Sequence, residues 1–325
     1  MTNERPFRFA VQATKAKSAA EWRDLAHRVE DLGFSTLFLA DHYLGPGPAQ
    51  REARWPPQYL APIAAMATAA AVTTTLRVGC RVFCVDYHVP AVLAKEAATI
   101  DLLSDGRLEF GIGAGWSEPE YRAMGVPFDA PPHRISKLAE AVALFKAHWS
   151  GEALDQKGEF VNVTGYAGLP LPVQRPHPPI MIGGGRRRVL SLAGREADIV
   201  SISNVPFVPV NSDGLTPAEE AVRRVGYVRD AAGERFGGID IESSPFFTRV
   251  TKDAEEAAQA LARVAATMQV DAGSLMRHPN VLVGSVDEIV ERLQERREAF
   301  GVNYVSIQQS EVGAFASVVE QLTGR

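Results

Sequence analysis

Asp41 and His42 stand side by side where the apolar run of "TLFLADHYLG" (36–45) ends. An acid beside an imidazole suits proton transfer: histidine titrates near neutral pH, and a carboxylate next to it orients the ring or raises its pKa. The plainer reading is a turn capped by Asp41. A second cluster is "GIGAGWSEPEY" (111–121), in which small residues let a flat ligand lie against the backbone ahead of Trp116, Glu118 and Glu120. Trp116 is either a substrate wall or core, and Tyr43 and Glu118 are candidate pocket donors or acceptors. In "GCRVF" (79–83), Gly79 and Cys80 would leave room at a strand end. Arg81 either points into the site or pairs with an acid such as Asp41 or Glu109. "IGGGRRR" (182–188) follows a strand and opens a helix. The glycine N–H groups of Gly183, Gly184 and Gly185, the positive helix end and Arg186 would cradle an anion such as phosphate; a tight turn is the alternative. His133 and His148 read as surface or packing residues.

These residues need elements to position them, and short apolar runs alternate with helical patterns along the chain. Strands are expected at 7–12, 36–40, 76–85, 107–115, 178–185, 198–203, 245–250 and 303–308. Helices are expected at 18–33, 59–73, 90–106, 134–149, 186–197 and 287–301, with a hairpin insertion at 158–166. In the first helix Trp22, Leu25, Val29 and Leu32 repeat at spacings of three and four, and Gly33 ends it. Eight Val-, Ile- and Phe-rich strands, apolar on both faces, suit a parallel sheet and predict a (β/α)8 TIM barrel with insertions. A doubly wound sheet is the alternative. Segments 44–58, 114–132 and 203–216 read as loops at the ends of strands, where such barrels carry their chemistry. Nothing marks a linker, so one domain over 1–325 is expected.

The 325 residues are 46% hydrophobic and 22% charged, with a formal net charge of −5. These are globular values, and no basic block offers a nucleic-acid footprint. Cys80 and Cys84 are too few for a disulfide framework, and their spacing is a weak metal signal; they read as small buried side chains, with no metal site. "APIAAMATAAAV" is too short to span a membrane and the N-terminus has no signal-like apolar stretch. A cytoplasmic protein without membrane or nucleic-acid partners is expected.

Taken together, the motifs resemble the luciferase-like monooxygenase superfamily, whose (β/α)8 barrels bind FMN or the deazaflavin coenzyme F420. The resemblance rests on "FLADHY", on 88–125, on 133–152, on 178–200 and on "GSVDEIVERL" (284–293), and is strongest toward the F420-dependent branch. It implies that Asp41 and His42 lie at the reactive ring. It also implies that Gly79, Cys80, Arg81 and Val82 form a strand-three bulge with a non-proline cis peptide at Arg81–Val82. Ala114, Gly115 and Glu118 would form the strand-four wall, and Gly183, Gly184, Gly185 and Arg186 the cofactor phosphate site.

Two departures argue against a sugar-phosphate substrate. Tyr43-Leu44-Gly45-Pro46 follows the acid–histidine pair where that relative has a Trp, and Trp116 stands where it has a Glu. The apolar loop at 203–216, with Val205, Phe207, Val208 and Val210, points to an apolar or flat organic substrate held by Tyr43, Trp116 and Phe207. The expected activity is an F420-dependent oxidoreductase with His42, Asp41 and Glu118 as catalytic residues. The alternatives are an FMNH2-dependent monooxygenase fed by a separate reductase, and a non-catalytic cofactor-binding protein. In the catalytic readings His42 is the proton donor or only a cofactor ligand. A homodimer is expected from the habit of relatives.

Overall fold

The computed structural model describes residues 5–202 and 205–325. Eight strands close a barrel: β1 (Arg8–Ala13), β2 (Thr36–Leu39), β3 (Arg77–Cys84), β4 (Leu108–Gly113), β7 (Ile180–Gly183), β8 (Ile199–Ser201), β9 (Asp240–Ser243) and β12 (Val302–Gln308). The order around the barrel is β1-β12-β9-β8-β7-β4-β3-β2. The β2–β3, β3–β4, β4–β7, β8–β9 and β9–β12 ladders are parallel. The remaining strands lie outside it. β5 (Leu154–Lys157) and β6 (Asn162–Tyr166) form an antiparallel hairpin, and β10 (Phe247–Val250) pairs in parallel with β11 (Val281–Gly284). The expected TIM barrel is therefore present, closed rather than doubly wound.

One barrel strand differs from the sequence reading. The expected strand at 245–250 belongs to the small β10–β11 sheet, and the barrel position is filled by "DIES" (240–243). That tetrapeptide has no apolar run. Its polar groups are buried because partners distant in sequence satisfy them: Asp240 accepts from Arg5, Arg8 at 2.9 Å and Asn303 at 2.7 Å. Ser203 and Asn204, the end of the expected strand at 198–203 and the start of the loop at 203–216, lie outside the described residues.

The helices are α1 (Ala19–Asp31), α2 (Pro48–Ala53), α3 (Pro62–Val72), α4 (Pro90–Leu103), α5 (Glu118–Met124), α6 (Pro131–Ser150), α7 (Arg187–Glu196), α8 (Pro217–Ala232), α9 (Ala254–Met268), α10 (Ala272–Met276), α11 (Val286–Phe300) and α12 (Val312–Leu322). Prolines open α2, α3, α4, α5, α6 and α8, where a missing N–H is harmless. Capping boxes start α8 (Thr216, Glu219) and α11 (Ser285, Glu288). The short helices α2 and α5 fall inside segments expected as loops, and both approach the candidate site. Among the described residues no helix is long and apolar enough to cross a membrane.

The chain divides into two compact units. One comprises the chain up to Val11, Asp31–Ser35 and Gly183–Arg325; the other comprises Gln12–Glu30 and Thr36–Ile182. In the second unit, indole N–H groups tie the helix layer together: Trp22 donates to Ala65 O and Trp149 to Ala94 O, each at 3.0 Å. Phe110 packs on Phe145 and Trp149, with ring centroids 5.0 and 5.1 Å away. In the first unit Leu261, Ala265, Leu275, Val281 and Val283 form a satellite core under α9, α10 and β11.

Glu30, near the end of α1, locks the turn before β3. One carboxylate oxygen accepts from the backbone N–H groups of Thr74, Thr75 and Leu76 at 2.6–2.9 Å. Burial alone would raise its pKa, but these bonds outweigh it and hold it down to about 2. The folded pKa lies below the unfolded value, so the stabilisation is full above pH 4.5 and disappears as pH falls through 2. Glu30→Gln is expected to destabilise the protein by about 1 kcal/mol at neutral pH, a modest figure because solvent screens the group. Urea unfolding across pH 7 to 3 checks this: a gap between the variant and the parent that fails to narrow toward acid would rule out the ionised-carboxylate account.

Candidate active site

Asp41 follows directly on β2 and is 3% exposed, so a charged carboxylate there needs a full set of partners. It has them. One oxygen accepts from the Tyr43 hydroxyl at 2.8 Å; the other accepts from the Cys84 N–H and from His88 Nε2, both at 2.8 Å. His88 therefore carries its proton on Nε2 toward Asp41. Asp41 was expected to orient His42, but the carboxylate that does so is Glu120. Glu120 is 1% exposed; its Oε2 lies 2.5 Å from His42 Nδ1, and its Oε1 accepts from the Tyr43 N–H at 2.6 Å. Glu118, two residues earlier, is exposed at the first turn of α5. On a helix those two positions point to different faces, so only one of the two acids can reach inward.

With Nδ1 held by Glu120, His42 keeps Nε2 for other work. Its ring lies between Trp55 and Trp116, with centroids 5.1 and 5.6 Å away. Trp116 is 52% exposed, so it is a wall and not core. A small cleft beside His42 is also lined by Leu44, Ala53, Trp55, Pro56 and Glu120. Tyr43 is half-exposed and stands edge-on to Tyr87 at 6.0 Å. Burial, then the neighbouring Asp41, pushes the Tyr43 phenol up, so it remains a donor.

A second chain of bonds supports the first. The Tyr121 hydroxyl donates to Asp86 at 2.8 Å, and Lys137 Nζ meets the other Asp86 oxygen at 2.7 Å. With its proton committed to Asp86, the Tyr121 oxygen accepts from the Cys84 thiol at 2.9 Å. Burial raises the Cys84 thiol to about 12 and Cys80 well above its ordinary value, so neither is a nucleophile at neutral pH.

The small residues of β3 and β4 do not leave space for a ligand as the sequence suggested. A Cβ at Gly79 would come within 2.4 Å of Glu109 O and 2.7 Å of Phe38 Cε1, and Cys80 is fully buried. Gly79 and Cys80 are thus packed core. A Cβ at Gly113 would meet a Val82 methyl at 2.8 Å, and one at Gly115 would meet the Tyr121 hydroxyl oxygen at 1.8 Å. The glycines make room for the protein's own Val82 and Tyr121. Ala114 is partly buried beside them. Arg81–Val82 is a cis peptide, at the shift in β3–β4 register between Cys80 and Phe83. Arg81 Nη1 donates to Gln12 Oε1 at 2.5 Å. Gln12 itself is 2% exposed, and its Nε2 has no acceptor among the described residues.

In the first unit, Gly183 ends β7 and Gly184 N donates to Ser201 O at 3.1 Å. Helix α7 then opens at Arg187 behind Arg186, with no side chain capping it. Arg186, Arg187 and Arg188 are exposed. The guanidinium packed on the glycine turn belongs to Arg224 of α8: a Cβ on Gly185 would be 2.8 Å from its Nη1. Glu220 holds Arg224 Nε at 2.8 Å. Phe207 stacks on His278 at 4.0 Å and 6°. His278 donates from Nε2 to Pro206 O and accepts from Asn280 N, and burial lowers its pKa to about 4.

The sequence pattern of the luciferase-like monooxygenase family matches residues 5–304. The chain belongs to that family. Among its relatives, the FMNH2-dependent dimethylsulfone monooxygenase of Pseudomonas putida is 35% identical over 109 residues, 34% of this chain and 30% of that protein. The F420-dependent glucose-6-phosphate dehydrogenase of Kineococcus radiotolerans is 29% identical over 245 residues, 74% of this chain and 67% of that protein. The solved structure of the coenzyme F420 dependent tetrahydromethanopterin reductase from Methanopyrus kandleri is 17% identical with a TM-score of 0.73, covering 98% of this chain and 100% of that one; this likeness shows the fold. The match to the Pseudomonas protein thus spans under a third of that relative's length.

For this member of the luciferase-like family, residues that sequence reasoning did not choose are Glu120, His88, Trp55, Gln12 and Arg224. A signal existed for Glu120, named beside Glu118 but unresolved without the helix phase. His88 sat in the quoted 88–125 stretch just before the Pro90 that opens α4. Gly115→Ala is expected to destabilise by about 2–4 kcal/mol, combining positive-φ strain with collision against Tyr121. Gly125→Ala, at a similar φ of +72° but with nothing within 4 Å of its Cβ, is expected to lose about 1 kcal/mol. Chemical denaturation of the two variants measures the difference; equal losses would remove the Tyr121 contact as a structural constraint.

Proposed function

We propose that the chain is a coenzyme F420-dependent oxidoreductase acting on a small, apolar organic substrate, with His42 as the proton-transferring residue. The observation that carries this reading is the His42 Nδ1–Glu120 Oε2 contact of 2.5 Å, which fixes the ring and leaves Nε2 without a partner among the described residues. Neutral His42, its Nδ1 proton held toward Glu120, offers the Nε2 lone pair as a base. Protonated, it offers an Nε2 proton as an acid, with Glu120 balancing the charge. Asp41 positions this end of the site by joining Tyr43, Cys84 and His88 and does not itself move a proton.

Gln12 tests whether a flat cofactor fits. A buried amide N–H without an acceptor is expensive, and a ring edged with carbonyl groups supplies one. Asp41, His42, Gln12, Arg81, Val82, Ala114 and Gly115 are the residues assigned to the ring side, with Gly79 and Cys80 packed behind them. Separately, the uncapped start of α7 at Gly183, Gly184, Gly185 and Arg186 suits a phosphate, whose charge the orphan N–H groups satisfy. When bound, such a cofactor supplies hydride transfer, or oxygen activation if it is reduced flavin. Trp116 and Tyr43 are assigned as substrate walls near His42, and Phe207 to the substrate side through its loop.

The second reading, an FMNH2-dependent monooxygenase served by a separate reductase, is favoured by the Pseudomonas relative. Equilibrium binding of FMN and of F420 to the purified chain, followed by fluorescence, decides between them: F420 alone is expected to bind tightly. FMN alone would replace the first reading with the second. His42→Ala is expected to lower turnover by about two to four orders of magnitude. Its cofactor affinity is expected to stay nearly unchanged; parallel losses in rate and affinity would reduce His42 to a binding residue.

A further inference from the structure

Three tryptophans of the second unit bury their indole nitrogens, and they fare differently. Trp22 and Trp149 donate to the backbone oxygens of Ala65 and Ala94. The Trp55 Nε1–H is buried and has no acceptor among the described residues. The loop around it is not loose, since Gln50 Nε2 donates to Trp55 O at 2.6 Å. A buried donor left unmatched in an otherwise well-bonded region calls for an acceptor from outside the chain.

The surroundings restrict what that acceptor can be. Trp55 lines the cleft beside His42 together with Leu44, Ala53 and Pro56, and it meets Trp116 edge-on at 5.7 Å. The walls are therefore aromatic and apolar, suited to a planar molecule. No lysine or arginine lines the cleft, so nothing there balances a phosphate or carboxylate. Its one acid, Glu120, has both oxygens engaged, by His42 and by the Tyr43 N–H, so no carboxylate is left to draw a cation.

We propose that this cleft takes an uncharged, planar carbonyl compound whose oxygen accepts from Trp55 Nε1, making Trp55 a specificity-determining residue. The assignment of the cleft as the substrate side rests on the reading of His42 given above. A site built to donate one hydrogen bond discriminates strongly against an analogue lacking the acceptor, because the donor is then left buried and unpaired.

The test uses the full chain and three probes: coumarin, which is planar, neutral and carries a carbonyl; naphthalene, of similar shape without an acceptor; and coumarin-3-carboxylate, which is anionic. Dissociation constants are read by ligand-observed NMR, so cofactor identity and turnover do not enter. Coumarin is expected to bind about tenfold more tightly than naphthalene. Trp55→Phe keeps an aromatic wall but loses the N–H; it is expected to erase that difference by weakening coumarin alone. Unchanged naphthalene affinity in the variant shows that the cleft is intact. Coumarin binding that is absent, no tighter than naphthalene, or indifferent to Trp55→Phe overturns the proposal, as does equal binding of the carboxylate. Should the probes behave as expected while neither FMN nor F420 binds, the fault lies with the function reading and not with the cleft's chemistry.

Discussion

Burial of the Asp41 carboxylate is the constraint around which the candidate site is arranged. A charge only 3% exposed persists if its lone pairs are filled, and three elements of the chain must converge to fill them. The Tyr43 hydroxyl comes from the segment after β2, the Cys84 N–H from the last residue of β3, and His88 from the turn into α4. Each of those groups has a second connection. Tyr43 N goes to Glu120, which holds His42; Cys84 Sγ goes to Tyr121, which reaches Asp86 and through it Lys137. Hydrogen bonds joined in this way polarise one another and resist piecemeal rearrangement, which is the rigidity a proton-transferring residue needs.

The small residues of β3 and β4 belong to the same economy of space. Gly113 admits Val82 and Gly115 admits the Tyr121 hydroxyl, so the cis peptide at Arg81–Val82 and the Tyr121 bonds both depend on missing side chains one strand away. In this family member, glycine at a strand end serves the protein's own packing before it serves any ligand. The groups that remain unmatched, Gln12 Nε2 and Trp55 Nε1, stand out against a background in which nearby polar atoms are bonded.

The unit that contains Gly183–Arg325 follows a different logic. Its charges are held by pairing within helix and strand neighbours, as Glu220 holds Arg224 and as Arg5, Arg8 and Asn303 hold Asp240. His278 is kept neutral by burial and fixed by two backbone partners, and it presents a flat face for Phe207. Phe207 is thereby anchored by stacking on an aromatic ring.

The sequence alone carried the barrel, because alternating apolar strands and amphipathic helices are local patterns with fixed periods. Seven of the eight barrel strands could be read that way, as could the Asp41–His42 pair, the glycine turn before α7, and, through family resemblance, the cis bond at Arg81–Val82. The strand at 240–243 was illegible, since its burial is made possible by Arg5, Arg8 and Asn303, far away in the chain. The choice of Glu120 over Glu118 was decided by the phase of α5 against β2, and the partnership of Asp41 with His88 by the turn into α4. Residue type and order show which groups could do chemistry; which of them meet depends on long-range packing, and only the tertiary structure contains it.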